Sequence, residues 1–152
     1  MTMEVIQPAH WSRPSGYAHG IIAEGRLLFL SGQVGWDENG RIVGDGLVEQ
    51  IDQALQNVLC LLSEAGAEAR DVVRMTWYIT DKQAYLTERK RIGERWRARM
   101  GRHYPVMSVV EVSSLLEEGA KVEIESTAVI SSKSPGGRKQ ERGETKGLPH
   151  SV

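Results

Sequence analysis

The chain has 152 residues, 40% of them apolar and 26% charged, with a formal net charge of −1. That length and balance suit one globular domain with a single sizeable core and exclude a disordered chain. The near-zero charge gives no reason to expect strong attraction to nucleic acid or to an anionic membrane.

The single cysteine, Cys60, cannot form an internal disulfide, which fits a reducing, cytoplasmic setting. The first residues lack the apolar run of a signal peptide, and no stretch approaches the roughly 20 apolar residues of a membrane span. His10, His19, His103 and His150 are scattered. Without an HExxH or CxxC pattern, no metal is expected.

Residues 1–12 read as an N-terminal extension, and the ordered part is expected to begin near Arg13. The apolar runs 20–23 and 27–31, separated by Glu24-Gly25-Arg26, predict a β-hairpin. Gly32, Gly35 and Glu38-Asn39-Gly40 mark a loop that carries Trp36. Leu47, Ile51, Leu55, Val58, Leu59 and Leu62 recur at helical spacing, with Asp45 or Gly46 as cap and Gly66 as stop. Residues 71–80 are rich in β-formers and predict a strand. Asp81 can cap a second helix whose buried stripe would be Tyr85, Leu86, Ile92 and Trp96. Its other face (Arg89, Lys90, Arg91, Arg95, Arg97, Arg99) is strongly basic and reads as solvated, with Glu88 and Glu94 as helix-spaced partners. Pro105 opens a strand over 106–112, and Gly119 precedes a last one over 121–130.

The order β-β-α-β-α-β-β predicts an α+β domain, one sheet with two helices on one face. The other face needs a cover, and self-association supplies it. Residues 131–152 differ from the rest. They hold five Lys/Arg against two Glu and few hydrophobes, too little apolar surface to offset the entropy of ordering, and read as a disordered tail.

Several ordered signatures then accumulate: Ser15-Gly16-Tyr17, Leu30-Ser31-Gly32-Gln33, Gly44-Asp45 with Gln50, Leu55 and Asn57, Ala65-Gly66, Asp71-Val72-Val73, Tyr104-Pro105, Val110-Glu111-Val112 and Val122-Glu123-Ile124-Glu125. Over residues 13–130 this set resembles the RidA/YjgF family of enamine/imine deaminases. The resemblance implies a chorismate-mutase-like fold and a homotrimer whose sheets form a central barrel with three small-molecule clefts between subunits. It also implies cofactor-free hydrolysis of reactive imines to a carbonyl compound and ammonia.

Strand alternation places Glu123 and Glu125 on one face, opposite Val122, Ile124 and Ser126. The resemblance puts Glu123 at the family's acidic residue, where a carboxylate can take a proton from attacking water. Glu125 is left structural. Tyr17 matches a cleft-lining tyrosine, whose phenol can pack on a small planar imine. Ser31 and Gly32 end a strand, where glycine lets the backbone approach a ligand.

One departure stands out. The family's run after the proline is Ala-Arg-Ser, and its arginine clamps the substrate carboxylate. Here the run is Pro105-Val106-Met107-Ser108, so methionine stands at that position. Losing a hydrogen bond to a charged group costs roughly 1.5–3 kcal/mol. The substrate is therefore expected to differ from 2-aminoacrylate. Either the cleft takes a less polar molecule against an adaptable Met107 wall, or Lys90 or Arg102 supplies the charge. Lys90 itself stands, by ungapped counting, where deaminating relatives carry asparagine. The rival readings are a non-catalytic metabolite-binding trimer, favoured by Met107, and a ribonuclease or RNA-binding protein, supported only by the basic helix and tail.

Overall fold

The computed structural model describes residues 3–131. Besides one 3₁₀ turn (Ala69–Asp71), the regular elements among them are β1 (Glu4–Ile6), β2 (Gly20–Ile22), β3 (Arg26–Val34), α1 (Leu47–Glu64), β4 (Val72–Ile79), α2 (Lys82–Thr87), α3 (Arg89–Met100), β5 (Val106–Glu111) and β6 (Val122–Ile130). The four longer strands make one sheet in the order β3-β6-β4-β5. The β4–β5 pair is parallel, and the other pairs are antiparallel. A parallel pair needs a crossover, which α2 and α3 provide.

Alternation assigns the faces. In β6, Val122, Ile124 and Ala128 are fully buried, while Glu123, Glu125 and Thr127 point the other way. The buried side packs on α1 and α3. Ile51, Leu55, Val58 and Leu62 of α1 recur every three to four residues and are fully buried, which is the stripe that the spacing predicts. Gly66, at φ 73°, takes the left-handed turn after the helix. The opposite face is uncovered by any described element: Phe29 is 73% exposed and Leu27 61%.

The α+β arrangement and the order β-β-α-β-α-β-β hold from Gly20 onward, with three corrections of detail. The expected hairpin does not form. β2 pairs with β1, Val5 opposite Ile21, while β3 pairs with β6 from Arg26↔Ile130 onward. Two neighbouring apolar runs look like hairpin partners locally, but the long ladder to β6 satisfies far more backbone groups than a three-residue strand can. Regular structure also begins at Glu4, ahead of Arg13.

The second helix is divided at Glu88 into α2 and α3. Asp81 caps α2 as expected, its Oδ1 accepting from the Ala84 N–H at 2.9 Å. Ile92 and Trp96 are buried, but Leu86 is 43% exposed. It belongs to α2, ahead of the break at Glu88, so the buried stripe of α3 does not extend to it. The tail expected over 131–152 lies, apart from Ser131, outside the described residues.

Arg99 clamps α3 to α1. Its Nε and Nη2 donate to Asp52 Oδ1 and Oδ2 at 2.9 and 2.8 Å. The Arg99 hydrogen bonds hold the Asp52 carboxyl below its usual range, partly offset by desolvation. A depressed carboxyl adds stability above its unfolded pKa and loses it as pH falls through the folded value. Asp52→Asn is therefore expected to cost about 1 kcal/mol at pH 7, the pair being partly screened by solvent. The difference should shrink once pH falls below about 4, as urea unfolding at the two pH values would reveal. Ser126 Oγ is buried with no hydrogen-bond partner among the described residues. Ser126→Ala should leave the thermal midpoint unchanged or raise it, since an unsatisfied hydroxyl costs roughly 1–3 kcal/mol; a lower midpoint would mean that the hydroxyl is satisfied.

Candidate functional site

Two groups of predicted site residues form, on opposite faces of the sheet. The first surrounds a pocket of about 460 Å³ on the helix side. Residues 15–18 run along the β5 edge. The Ala18 N–H donates to Pro105 O at 3.0 Å, and Ala18 bridges to Val106 in parallel register. This lays Tyr17 beside Met107, and both line the pocket. Met107 faces the helices because it pairs with Met75, which is fully buried.

Aromatic rings form the remaining walls. Trp96 and Tyr104 stack with centroids 6.3 Å apart and planes 13° from parallel, and Trp77 leans on Trp96 at 6.0 Å. The Trp96 indole is held by donating to His103 O at 3.1 Å. Tyr85 also lines the pocket. Burial pushes its phenol up, opposed by the positive charge of Arg89, so it stays a neutral donor at pH 7. Arg89 and Arg97 of α3 complete the lining.

The second group lies on the uncovered face. The β3–β6 ladder shifts register between Leu30 and Gln33, so Ser31 and Gly32 fall in the irregularity. Gly32 leaves the space that the Glu123 side chain fills. A Cβ there would overlap Glu123 Oε1 and stand 2.7 Å from its Cδ. Glu123 makes no hydrogen bond or ion pair among the described residues. Glu125 is engaged: the Tyr78 hydroxyl donates to its Oε1 at 2.6 Å, and this bond raises the Tyr78 pKa. Two glutamates on one strand face thus differ, one occupied and one free.

The start of β6 is held by Gln50, a fully buried side chain on α1. Its Nε2 donates to Gly44 O at 2.7 Å and Gly119 O at 3.0 Å, and its Oε1 accepts from the Lys121 N–H at 2.7 Å. Sequence reading noted Gln50 only as part of a resemblance. Its signal was a polar side chain within the apolar stripe of α1.

Within one chain, then, Tyr17 joins Met107, and Gly32 joins Glu123. Ser31 stands on the uncovered side, with its Oγ 3.3 Å from Gln33 Nε2. Lys90 is exposed and outside the pocket lining, and Arg102 lines a separate cavity with Met3 and His103. The pocket's cations are Arg89 and Arg97, which correct the expectation of a wholly solvated basic face. Their spacing with Gly93, every four residues, is the signal that one helical stripe faces the cavity. No group of three or more His, Cys, Asp or Glu among the described residues could hold a metal ion.

A mixed four-stranded sheet with helices on one face, an aromatic pocket at the β5 edge and an unpaired carboxylate on the far side define the class: an α+β domain of the Rid type. The family model described as endoribonuclease L-PSP matches residues 11–130, and the chain belongs to this RidA/YjgF family. A RutC family protein of Pyrococcus abyssi is 33% identical over 129 residues, covering 84% of this chain and 98% of the relative. The human 2-iminobutanoate/2-iminopropanoate deaminase is 28% identical over 114 residues, 74% of this chain and 79% of that protein. Among solved structures, a conserved Rid-family protein from Yersinia pestis superposes with a TM-score of 0.75 at 33% identity, covering 86% of this chain and all of the other. No helix among the described residues is long and apolar enough to cross a membrane.

Proposed function

We propose that this protein hydrolyses reactive imines or enamines to a carbonyl compound and ammonia, in clefts between the subunits of a homotrimer. The observation that carries this reading is the split of the site. The Glu123 side chain projects, unpaired among the described residues, from the face opposite the pocket of Tyr17 and Met107, the same uncovered face that carries exposed Leu27 and Phe29 further along the ladder. Apposing the uncovered sheet faces of three copies would bury those hydrophobes and bring one copy's carboxylate to the next copy's pocket. Relatives bearing the name of an imine deaminase support the chemistry.

In this cleft Glu123 accepts a proton as water attacks the imine carbon. That proton passes to nitrogen, giving a carbinolamine; its hydroxyl proton follows to nitrogen by the same carboxylate as C=O forms, the C–N bond breaks and ammonia leaves. Met107 makes a substrate other than 2-aminoacrylate the better fit. A ribonuclease reading has less support, since Arg91, Arg95 and Arg99 on the basic helix are ion-paired with Glu88, Glu49 and Asp52.

Subunit mixing tests the composite site. Glu123→Gln and Met107→Trp proteins should each be inactive in ammonia release from oxidase-generated imines. Co-refolded in equal amounts, they should recover about a quarter of the wild-type rate, because each cleft draws its two halves from different chains. Active wild type without recovery on mixing would place the site within one subunit. A wild type that binds keto acids but releases no ammonia would leave the non-catalytic binding trimer.

A further inference from the structure

We infer that the pocket beside Tyr17 selects carboxylates with an aromatic or long apolar side chain, held by Arg89 and Arg97 of α3 in place of the guanidinium that Met107 does not provide. As a statement about substrate, 2-imino acids of that kind, it rests on the proposed hydrolase activity; as a binding site it does not.

The arginines of α3 divide by face. Arg91 is 3.1 Å from Glu88 and 3.6 Å from Glu49, while Arg95 and Arg99 lie 3.9 and 2.8 Å from Asp52. The side chains of Arg89 and Arg97 have no ion pair or hydrogen bond among the described residues, and these two line the pocket. Gly93 sits between them on the same stripe. A Cβ there would stand 3.5 Å from Arg97 Nη1, so the guanidinium lies back over the glycine. Two like charges without an internal counter-ion are the arrangement that an incoming carboxylate relieves, and a guanidinium can meet it with two hydrogen bonds.

The rest of the lining argues for what the carboxylate is attached to. Tyr17 and Tyr104 present exposed ring surfaces, nearly buried Trp96 and Trp77 back them, and Met107 adds an adaptable apolar wall. At about 460 Å³ the cavity falls within the range of sites for larger small molecules. A three- or four-carbon acid would leave most of it to water. An aromatic ring would instead bury its area against Tyr17 and Tyr104.

Calorimetric titration of the full chain with phenylpyruvate, pyruvate and 2-phenylethanol tests this without turnover. Phenylpyruvate should bind at least about tenfold more tightly than either, since each competitor lacks one half of the recognition. Arg89→Gln and Arg97→Gln should each weaken it by about tenfold and the double variant by about a hundredfold. Arg91→Gln removes the same charge from outside the pocket and should leave affinity within about twofold. Equal affinity for pyruvate and phenylpyruvate, or an unaltered affinity in a folded double variant, would overturn the inference. Tight, arginine-dependent phenylpyruvate binding with no ammonia from the phenylalanine-derived imine would uphold this site and sink the hydrolase reading instead.

Discussion

Glu123→Gln is expected to lower kcat/KM for imine hydrolysis by about 10²- to 10⁴-fold, the range that a positioned general acid or base supplies. The amide keeps the shape of the carboxylate but cannot accept the proton of attacking water. Stability should hardly change. Glu123 forms no hydrogen bond or ion pair among the described residues, so nothing is left unpaired, and the thermal midpoint should move by no more than about two degrees. A parallel Glu125→Gln variant separates chemistry from a general loss of negative charge. That carboxylate is occupied by the Tyr78 hydroxyl, so its loss should leave most of the activity. Ammonia release measured for both variants checks the pair. Equal rates for Glu123→Gln and wild type would remove Glu123 from the mechanism.

Gln50→Leu should destabilise the fold by about 2–4 kcal/mol. Leucine fits the volume, so packing is not the reason. The amide joins three backbone groups, Gly44 O, Gly119 O and Lys121 N, from two loops distant in sequence. Each group deprived of its partner costs roughly 1–3 kcal/mol, less where water can reach it. Urea unfolding should show a lower midpoint with an unchanged slope. Activity should fall as well, because the freed loop leads into β6 and hence to Glu123. Full stability in the variant would mean that water replaces all three bonds at no cost.

Local pattern carried far in this protein. Period 3.6 located α1 and the α3 stripe of Ile92 and Trp96, and period 2 separated Glu123 from Ile124, because burial of one face imposes its spacing on the residues that line it. The Met107 departure was visible from the proline that precedes it. What pattern could not supply was partnership. Two apolar runs, 20–23 and 27–31, look equally fit to pair, yet the strand of the first joins β1 and that of the second joins β6. A row of arginines reads as one basic face until Asp52, Glu49 and Glu88 claim three of them and leave Arg89 and Arg97 to the pocket.

The sequence by itself determined α1, the four longer strands, the buried stripe of α1 and the family, since these follow from side-chain periodicity and ordered local motifs. Only the tertiary structure decided that Glu123 and Met107 stand on opposite sides of one sheet and that Gly32 makes room for the carboxylate. Those facts depend on register and on which groups meet across large separations in the chain, and short-range spacing does not encode them.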